Sequence, residues 1–268
     1  MGGAHKYANE PNAQVVSAKH SGETMVDYLH RVREDWSQEW GCEDIPRRDI
    51  ALELTAKLRE DVLTKGIRMK LVDCLTEGNL NKALGRFSED TSTGLDGVTF
   101  LAVKALPPCA KRSLLRIFRK SLINLAMPTQ VLVNLIALLG KKDGGTRCIA
   151  ICSTFYRLFL AILGEEIREW DTQVAGVGDT ALKGKSPLVE TALRHLKVEA
   201  YNELNYSIAI VLWDVRKYFD SLDVPTLIER ATKADFPKEQ LVLAMIIHRA
   251  CRVIRSDGYY ADPPRIAC

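Results

Sequence analysis

No run of 18 apolar residues occurs anywhere in the 268-residue chain, so no segment reads as a membrane-spanning helix. The opening Met1-Gly-Gly-Ala-His-Lys-Tyr-Ala-Asn-Glu-Pro-Asn12 lacks the apolar core of a signal peptide, and the expected location is intracellular, in nucleus or cytoplasm. Cysteine gives no framework. Cys42, Cys74, Cys109, Cys148, Cys152, Cys251 and Cys268 are odd in number and scattered, and no Cys-x-x-Cys occurs. They read as reduced, mostly buried thiols rather than as disulfides or zinc ligands. The five histidines are dispersed, none at zinc-finger spacing, which argues against a His-based catalytic site. Gly184-Lys185-Ser186 echoes the end of a phosphate-binding loop, but the earlier glycine and the leading strand are missing. No internal repeat is present.

A large charge imbalance is also missing. The net charge of +3 excludes a polycationic chain. Local charge is more telling. Residues 91–170 carry eleven basic side chains: Lys104, Lys111, Arg112, Arg116, Arg119, Lys120, Lys141, Lys142, Arg147, Arg157 and Arg168. Against them stand Asp96, Asp143, Glu165, Glu166 and Glu169, so the segment is +6 in a nearly neutral protein. Such a surface suits a phosphate backbone, or is simply a solvated helix face. Hydrophobic content of 47% and charged content of 26% are globular values, enough for one large domain or two small ones.

Residues 1–22 are polar and aperiodic and are expected to be disordered. An amphipathic helical pattern follows from Glu23 to Trp40, with Met25, Tyr28, Leu29, Val32 and Trp36 on one side. Residues 41–46 break it. A second helix is predicted over 48–65, with Ile50, Leu52, Leu54, Leu58 and Val62 as its apolar set and Gly66 as its stop. Residues 67–87 read as helical, interrupted near Gly78-Asn79. Residues 23–85 thus form a helical extension without assignable chemistry. Next come a turn-rich Thr91-Ser-Thr-Gly94-Leu-Asp96-Gly97-Val98, the piece 101–106, and a basic amphipathic helix over 109–125. Val131 to Leu139 is a predicted strand, 140–147 a hairpin turn by composition, and Cys148 to Cys152 the returning strand. Ser153 caps a helix running to Trp170, 171–185 is a loop, and Ser186-Pro187 starts a helix reaching Leu204. After the segment 208–223 a helix is predicted over 237–255, and residues 256–268 read as a turn and the beginning of a strand.

The chain is organised around Ile208-Ala-Ile-Val-Leu-Trp-Asp214-Val215-Arg-Lys-Tyr218-Phe219-Asp220-Ser. An apolar run leading into an acid predicts a buried strand that delivers Asp214 at its C-terminal end, where α/β sheets place their chemistry. Asp220, six residues on, would lie about 20 Å away along a continuing strand at roughly 3.3 Å per residue. Asp214 is therefore expected to face the site, and Asp220 to serve the turn into the next helix. That helix has Asp223 as its cap and a Pro in its first turn. The plainer alternative is a strand whose Asp caps the next helix. Lys141-x-x-Gly144-x-x-Arg147 sits at the hairpin, where two cations and a bendable glycine suit a triphosphate, or merely a solvated turn.

Five pieces occur in order: Gly94-Leu-Asp-Gly97; Leu-Leu-Gly-Lys141-Lys-Asp-Gly144-Gly-Thr-Arg147-Cys-Ile; Tyr156-Arg157-Leu158; Gly184-Lys-Ser-Pro-Leu-Val; and Trp213-Asp214-Val-Arg-Lys-Tyr-Phe219-Asp220-Ser. Together, over roughly 80–268, they resemble the fingers and first palm block of reverse transcriptases of the non-LTR retrotransposon and group II intron type. The resemblance implies an α+β fold: the helical extension 23–85, then partial fingers and an incomplete palm of a right-hand polymerase over 86–268. It implies an RNA-directed DNA polymerase domain, a retroelement fragment, acting with Mg2+ on an RNA template, a DNA primer and dNTPs. Asp214 would ligate Mg2+, with the Val215 carbonyl helping to hold the nucleotide-side metal. Phe219 would be the steric gate under the sugar, and Lys141 and Arg147 would contact the triphosphate. The sequence departs from the family pattern at Cys148, where Pro is usual, and at Tyr218, where a small residue is usual. Later carboxylates of the palm are not found. Tyr259-Tyr-Ala-Asp262-Pro has Pro where a second Asp belongs, and the chain is expected to stop inside the palm with little or no polymerase activity alone. A non-catalytic nucleic-acid-binding remnant and a helical interaction module are the alternatives.

Overall fold

The computed structural model describes residues 19–40, 44–140, 146–176, 179–180, 182, 184–209, 211, 222–256 and 258–261. Helix α1 (Met25–Glu39) begins where a capping box dictates: Thr24 Oγ1 accepts the Asp27 N–H while the Asp27 carboxylate accepts the Thr24 N–H. Its buried stripe is Tyr28, Leu29, Val32 and Trp36, as the periodicity predicts. Helix α2 (Ile45–Lys65) starts earlier than expected. Asp44 caps it by accepting the Arg47 N–H, so Pro46 opens the first turn instead of breaking the chain. Its buried face is Ala51, Thr55, Leu58 and Val62; Ile50 and Leu52 lie outside that stripe and are exposed.

The expected interruption at Gly78-Asn79 falls instead at 74–76, between α3 (Met69–Asp73) and α4 (Glu77–Leu84). Thr76 Oγ1 accepts the Asn79 N–H at 3.2 Å, which places both Gly78 and Asn79 inside the first turn of α4. Then come α5 (Phe100–Lys104) and α6 (Pro108–Asn124), followed by strands β1 (Val133–Gly140) and β2 (Thr146–Ile151). Helix α7 (Thr154–Val174) carries Ser153 as its N-cap and runs four residues past Trp170. Helix α8 (Pro187–Glu203) buries no residue at all. Helix α9 (Val224–Lys233) starts on Asp223, whose carboxylate accepts the Thr226 N–H and pairs with Arg47 at 2.5 Å.

Two expectations near the C-terminal half are corrected. The helix predicted over 237–255 ends at His248 as α10 (Lys238–His248), and Cys251–Ser256 is strand β3. Arg252, Ile254 and Ser256 are buried on one side of β3, and the strand lies parallel to β1. A short β4 (Tyr259–Tyr260) returns antiparallel to it. The strand predicted over 208–213 is not formed in its described residues: Ile208, Ala209 and Val211 are in no strand and are exposed, Val211 at 67%. An apolar run becomes a strand only where a neighbour and a covering layer receive it. Both edges of β1 are already taken, by β2 and β3.

The sheet order is β2-β1-β3-β4, with β1 and β2 antiparallel and β1 and β3 parallel. A large helical core gathers buried residues of α2 through α7, α9 and α10. A second core lies on the sheet, where α1 supplies Tyr28, Leu29, Val32 and Trp36 against Ile136, Leu138, Ile254 and Ala261. Each of the aliphatic side chains larger than alanine contributes about 1.5–3 kcal/mol by leaving water. The molecule is thus mixed α and β, compatible with the α+β class expected from the sequence.

Candidate functional site

The β1–β2 hairpin pairs Leu139 with Arg147 and Gly140 with Thr146. Arg147 is therefore the second residue of the returning strand, and its side chain is exposed. The base of the hairpin is braced from a distance. Tyr28, fully buried on α1, shares a 2.9 Å hydrogen bond between its hydroxyl and Thr146 Oγ1. Burial pushes the Tyr28 phenol above its ordinary pKa, so it stays neutral and able to donate. Arg31 lies over the Tyr28 ring, 5.4 Å from its centre, and is itself held by Glu23 at 2.8 Å.

The other end of β2 runs into the turn at 94–97. Gly94 is required there by contact: a Cβ would sit 2.8 Å from the Cys152 carbonyl oxygen and 2.9 Å from Ser153 Cα. Gly97 is required by conformation, with φ of +64°. Between them, Asp96 Oδ2 accepts the Ser153 hydroxyl at 2.7 Å and the Thr154 N–H at 3.2 Å, while Oδ1 accepts the Val98 N–H. Thr154 Oγ1 donates in return to the Val98 carbonyl at 2.6 Å. A carboxylate at the first N–H groups of α7 is favoured both by the hydrogen bonds and by the helix dipole. Arg157, one turn later, donates to the Ser92 carbonyl at 2.7 Å and lies over the stacked rings of Phe87 and Phe100. Burial lowers its pKa from the ordinary arginine value without discharging it. The 94–97 turn is thus locked onto the start of α7, which follows the returning strand of the hairpin directly.

The basic residues of 91–170 sort into two groups. Lys104 donates to the Phe87 carbonyl, Lys111 to Asn81, and Arg112 pairs with Glu77 at 3.4 Å. Arg157 is committed to the turn, and Arg168 pairs with Glu165. Arg116, Arg119, Lys120 and Arg147 are exposed and have no side-chain partner among the described residues. Lys141 and Lys142 lie outside the described residues.

Of the residues expected to form the site, Arg147 alone is described; Lys141, Asp214, Val215 and Phe219 fall outside, as do Asp220 and Asp262. Among the described residues no group of three or more His, Cys, Asp or Glu could hold a metal ion. Three carboxylates at the C-terminal helices are occupied: Asp223 caps α9, and Glu166 and Glu239 bind Arg68. Tyr28 and the reach of Asp96 to Ser153 escaped sequence reasoning. For Asp96 a signal existed, since an Asp-Gly turn and a Ser cap were both visible; for Tyr28 there was none.

The described elements define a mixed α/β molecule in which Arg147 is exposed on the returning strand of the hairpin, and no described helix is long and apolar enough to cross a membrane. No family model matches the chain, and no curated protein matches it.

Proposed function

We propose that the chain is a fingers and first-palm segment of an RNA-directed DNA polymerase, of the kind found in non-LTR retrotransposons and group II introns. The observation that carries this reading is the locking of the Gly94–Gly97 turn onto the capped start of α7 with Arg157, directly after the hairpin strand that bears Arg147. The residue types of the resemblance acquire physical reasons there. Gly94 permits close approach, Asp96 caps, and Arg157 ties the turn to the helix.

In this reading Arg147 and Lys141 hold the triphosphate of an incoming dNTP, the first as a bidentate fork and the second as a point charge. Phe219 lies under the sugar and rejects a 2′-hydroxyl by bulk. Asp214 and the Val215 carbonyl are assigned to Mg2+, which supplies two-metal phosphoryl-transfer chemistry between primer 3′-hydroxyl and dNTP.

The test is retention of a cognate dNTP on a labelled DNA primer–RNA template with Mg2+, measured by fluorescence anisotropy on the full chain. Arg147→Ala is expected to weaken nucleotide-dependent retention about tenfold, the loss of one charge-assisted contact of roughly 1.4 kcal/mol. Equal affinity for a primer–template and a blunt duplex, together with no effect of Arg147→Ala or Asp214→Ala, would refute the polymerase reading. A second reading, nucleic-acid binding without catalysis, is favoured by Arg116, Arg119 and Lys120, which have no side-chain partner among the described residues.

A further inference from the structure

Between Gly97 and Lys142 the sequence contains neither Asp nor Glu, yet it carries eight lysines and arginines. Helix α6 is the centre of this stretch. Leu114, Leu115, Phe118, Ser121 and Leu122 form its buried side. At 3.6 residues per turn, Arg112, Arg116, Arg119 and Ile123 fall together on the side away from that core, with Lys120 beside them. Arg112 is paired with Glu77 from the neighbouring α4. Arg116, Arg119 and Lys120 have no side-chain partner among the described residues.

A solvated helix face usually interleaves acids with its bases at i,i+3 and i,i+4, because opposite charges there attract and like charges repel. Here Arg116 has Arg112 and Lys120 four residues away on either side, Arg119 three away, and no acid anywhere on its helix. An anion laid along the face removes that repulsion. Guanidinium forks fit phosphate oxygens in pairs, whereas a lone lysine patch would offer only point charges. The exposed side holds no aromatic side chain on which a base could stack, so the face contacts backbone and not bases.

We infer that the outer face of α6 is a sequence-independent docking surface for the phosphate backbone of a nucleic-acid duplex, distinct from the Arg147 hairpin. It goes beyond the polymerase reading, because it requires neither nucleotide nor metal, and Arg147 belongs to a different element.

The experiment measures affinity of the full chain for an unrelated blunt duplex over a series of salt concentrations. Three charges released from phosphate contact correspond to about 2–3 in the slope of log K against log salt, at roughly 0.9 per phosphate. The Arg116→Gln, Arg119→Gln, Lys120→Gln variant is expected to lose that much slope, with its circular dichroism spectrum unchanged. Arg116→Lys with Arg119→Lys keeps the charges and is expected to keep the slope, which separates lost charge from lost folding. A wild-type slope in the triple Gln variant would overturn the inference while leaving the polymerase reading untouched. Tighter binding to phosphatidylserine–phosphatidylcholine vesicles than to duplex at equal salt would overturn it too, making the face a membrane surface.

Discussion

Gly94 and Gly97 are three residues apart and are glycine for different reasons, which a pair of alanine substitutions separates. At Gly94 the obstacle is backbone: the added methyl meets the Cys152 carbonyl oxygen at 2.8 Å and Ser153 Cα at 2.9 Å, and neither can swing aside like the end of a long side chain. The turn or the start of α7 has to move. Gly94→Ala is expected to cost about 1–3 kcal/mol, the range for overpacking a tight contact. At Gly97 the space is open, but φ of +64° is left-handed, so Gly97→Ala is expected to cost about 1 kcal/mol from conformation alone. Urea unfolding monitored by tryptophan fluorescence checks both. Only Gly94→Ala should also loosen the Asp96 bonds to Ser153 and Thr154, seen as faster amide exchange in the first turn of α7. Equal exchange in the two variants would mean that the turn does not pin the helix.

At the scale of elements, α3, α7 and α10 are joined by Arg68, which binds Glu239 through several hydrogen bonds and Glu166 through another. Burial acts to raise the Glu239 pKa, but the hydrogen bonds and charge of Arg68, together with the bond from the Glu239 backbone N–H, outweigh it and hold the carboxyl below the ordinary glutamate range. A depressed carboxyl stabilises the fold fully above its unfolded pKa, about 4.3, and the contribution fades as pH falls through the folded value. Because Arg68 is 44% exposed, screening reduces the worth of the pair to about 1–2 kcal/mol. The stability gap between the protein and Glu239→Gln, taken from urea midpoints, is expected to stay level from pH 7 to about 5 and to close below about pH 4.5. A gap unchanged at pH 3.5 would show that the loss in the variant is one of shape and not of charge.

Elements of this kind also show what a sequence can disclose. Ser153 and Asp223 cap the helices that follow them, as their sequence neighbourhoods announce, because capping is settled within three residues. The hairpin around Arg147 was legible for the same reason. The helix-to-strand change between His248 and Cys251 was not, since Val253-Ile254 could continue the apolar side of the helix and only the edge of β1 left open by β2 decides that it becomes strand. Ile208 to Trp213 has a strand's composition, yet its described residues find no neighbour. Of the candidate site, the local part was readable and the long-range part was not. Asp96 meets Ser153 across 57 residues and Tyr28 meets Thr146 across 118, and no local pattern encodes either meeting.

On the scale of the whole molecule, α1 is the layer that lets the sheet exist away from the helical core. It covers Ile136, Leu138 and Ile254, and its C-terminal Trp36 and Trp40 pack against each other with Arg252 of β3 lying 4.4 Å from the Trp40 ring. Without it a contiguous apolar sheet face would meet water. Tyr28 joins that cover to the hairpin, since the same ring fills the core and its hydroxyl reaches Thr146, the residue before Arg147. The two contributions differ in size and separate by substitution. Tyr28→Phe keeps the ring and is expected to cost about 0.5–1.5 kcal/mol, the net worth of one hydrogen bond. Tyr28→Ala also opens a cavity under the sheet and is expected to cost about 3–5 kcal/mol. Hydrogen exchange across 146–151 is the discriminating measurement. If α1 steadies the strand that carries Arg147, exchange there rises slightly in Tyr28→Phe and strongly in Tyr28→Ala, while the amides of α10, in the other core, stay protected under conditions where local opening dominates. Equal acceleration of β2 and α10 would mean that Tyr28 supports the fold globally and gives the hairpin no support of its own.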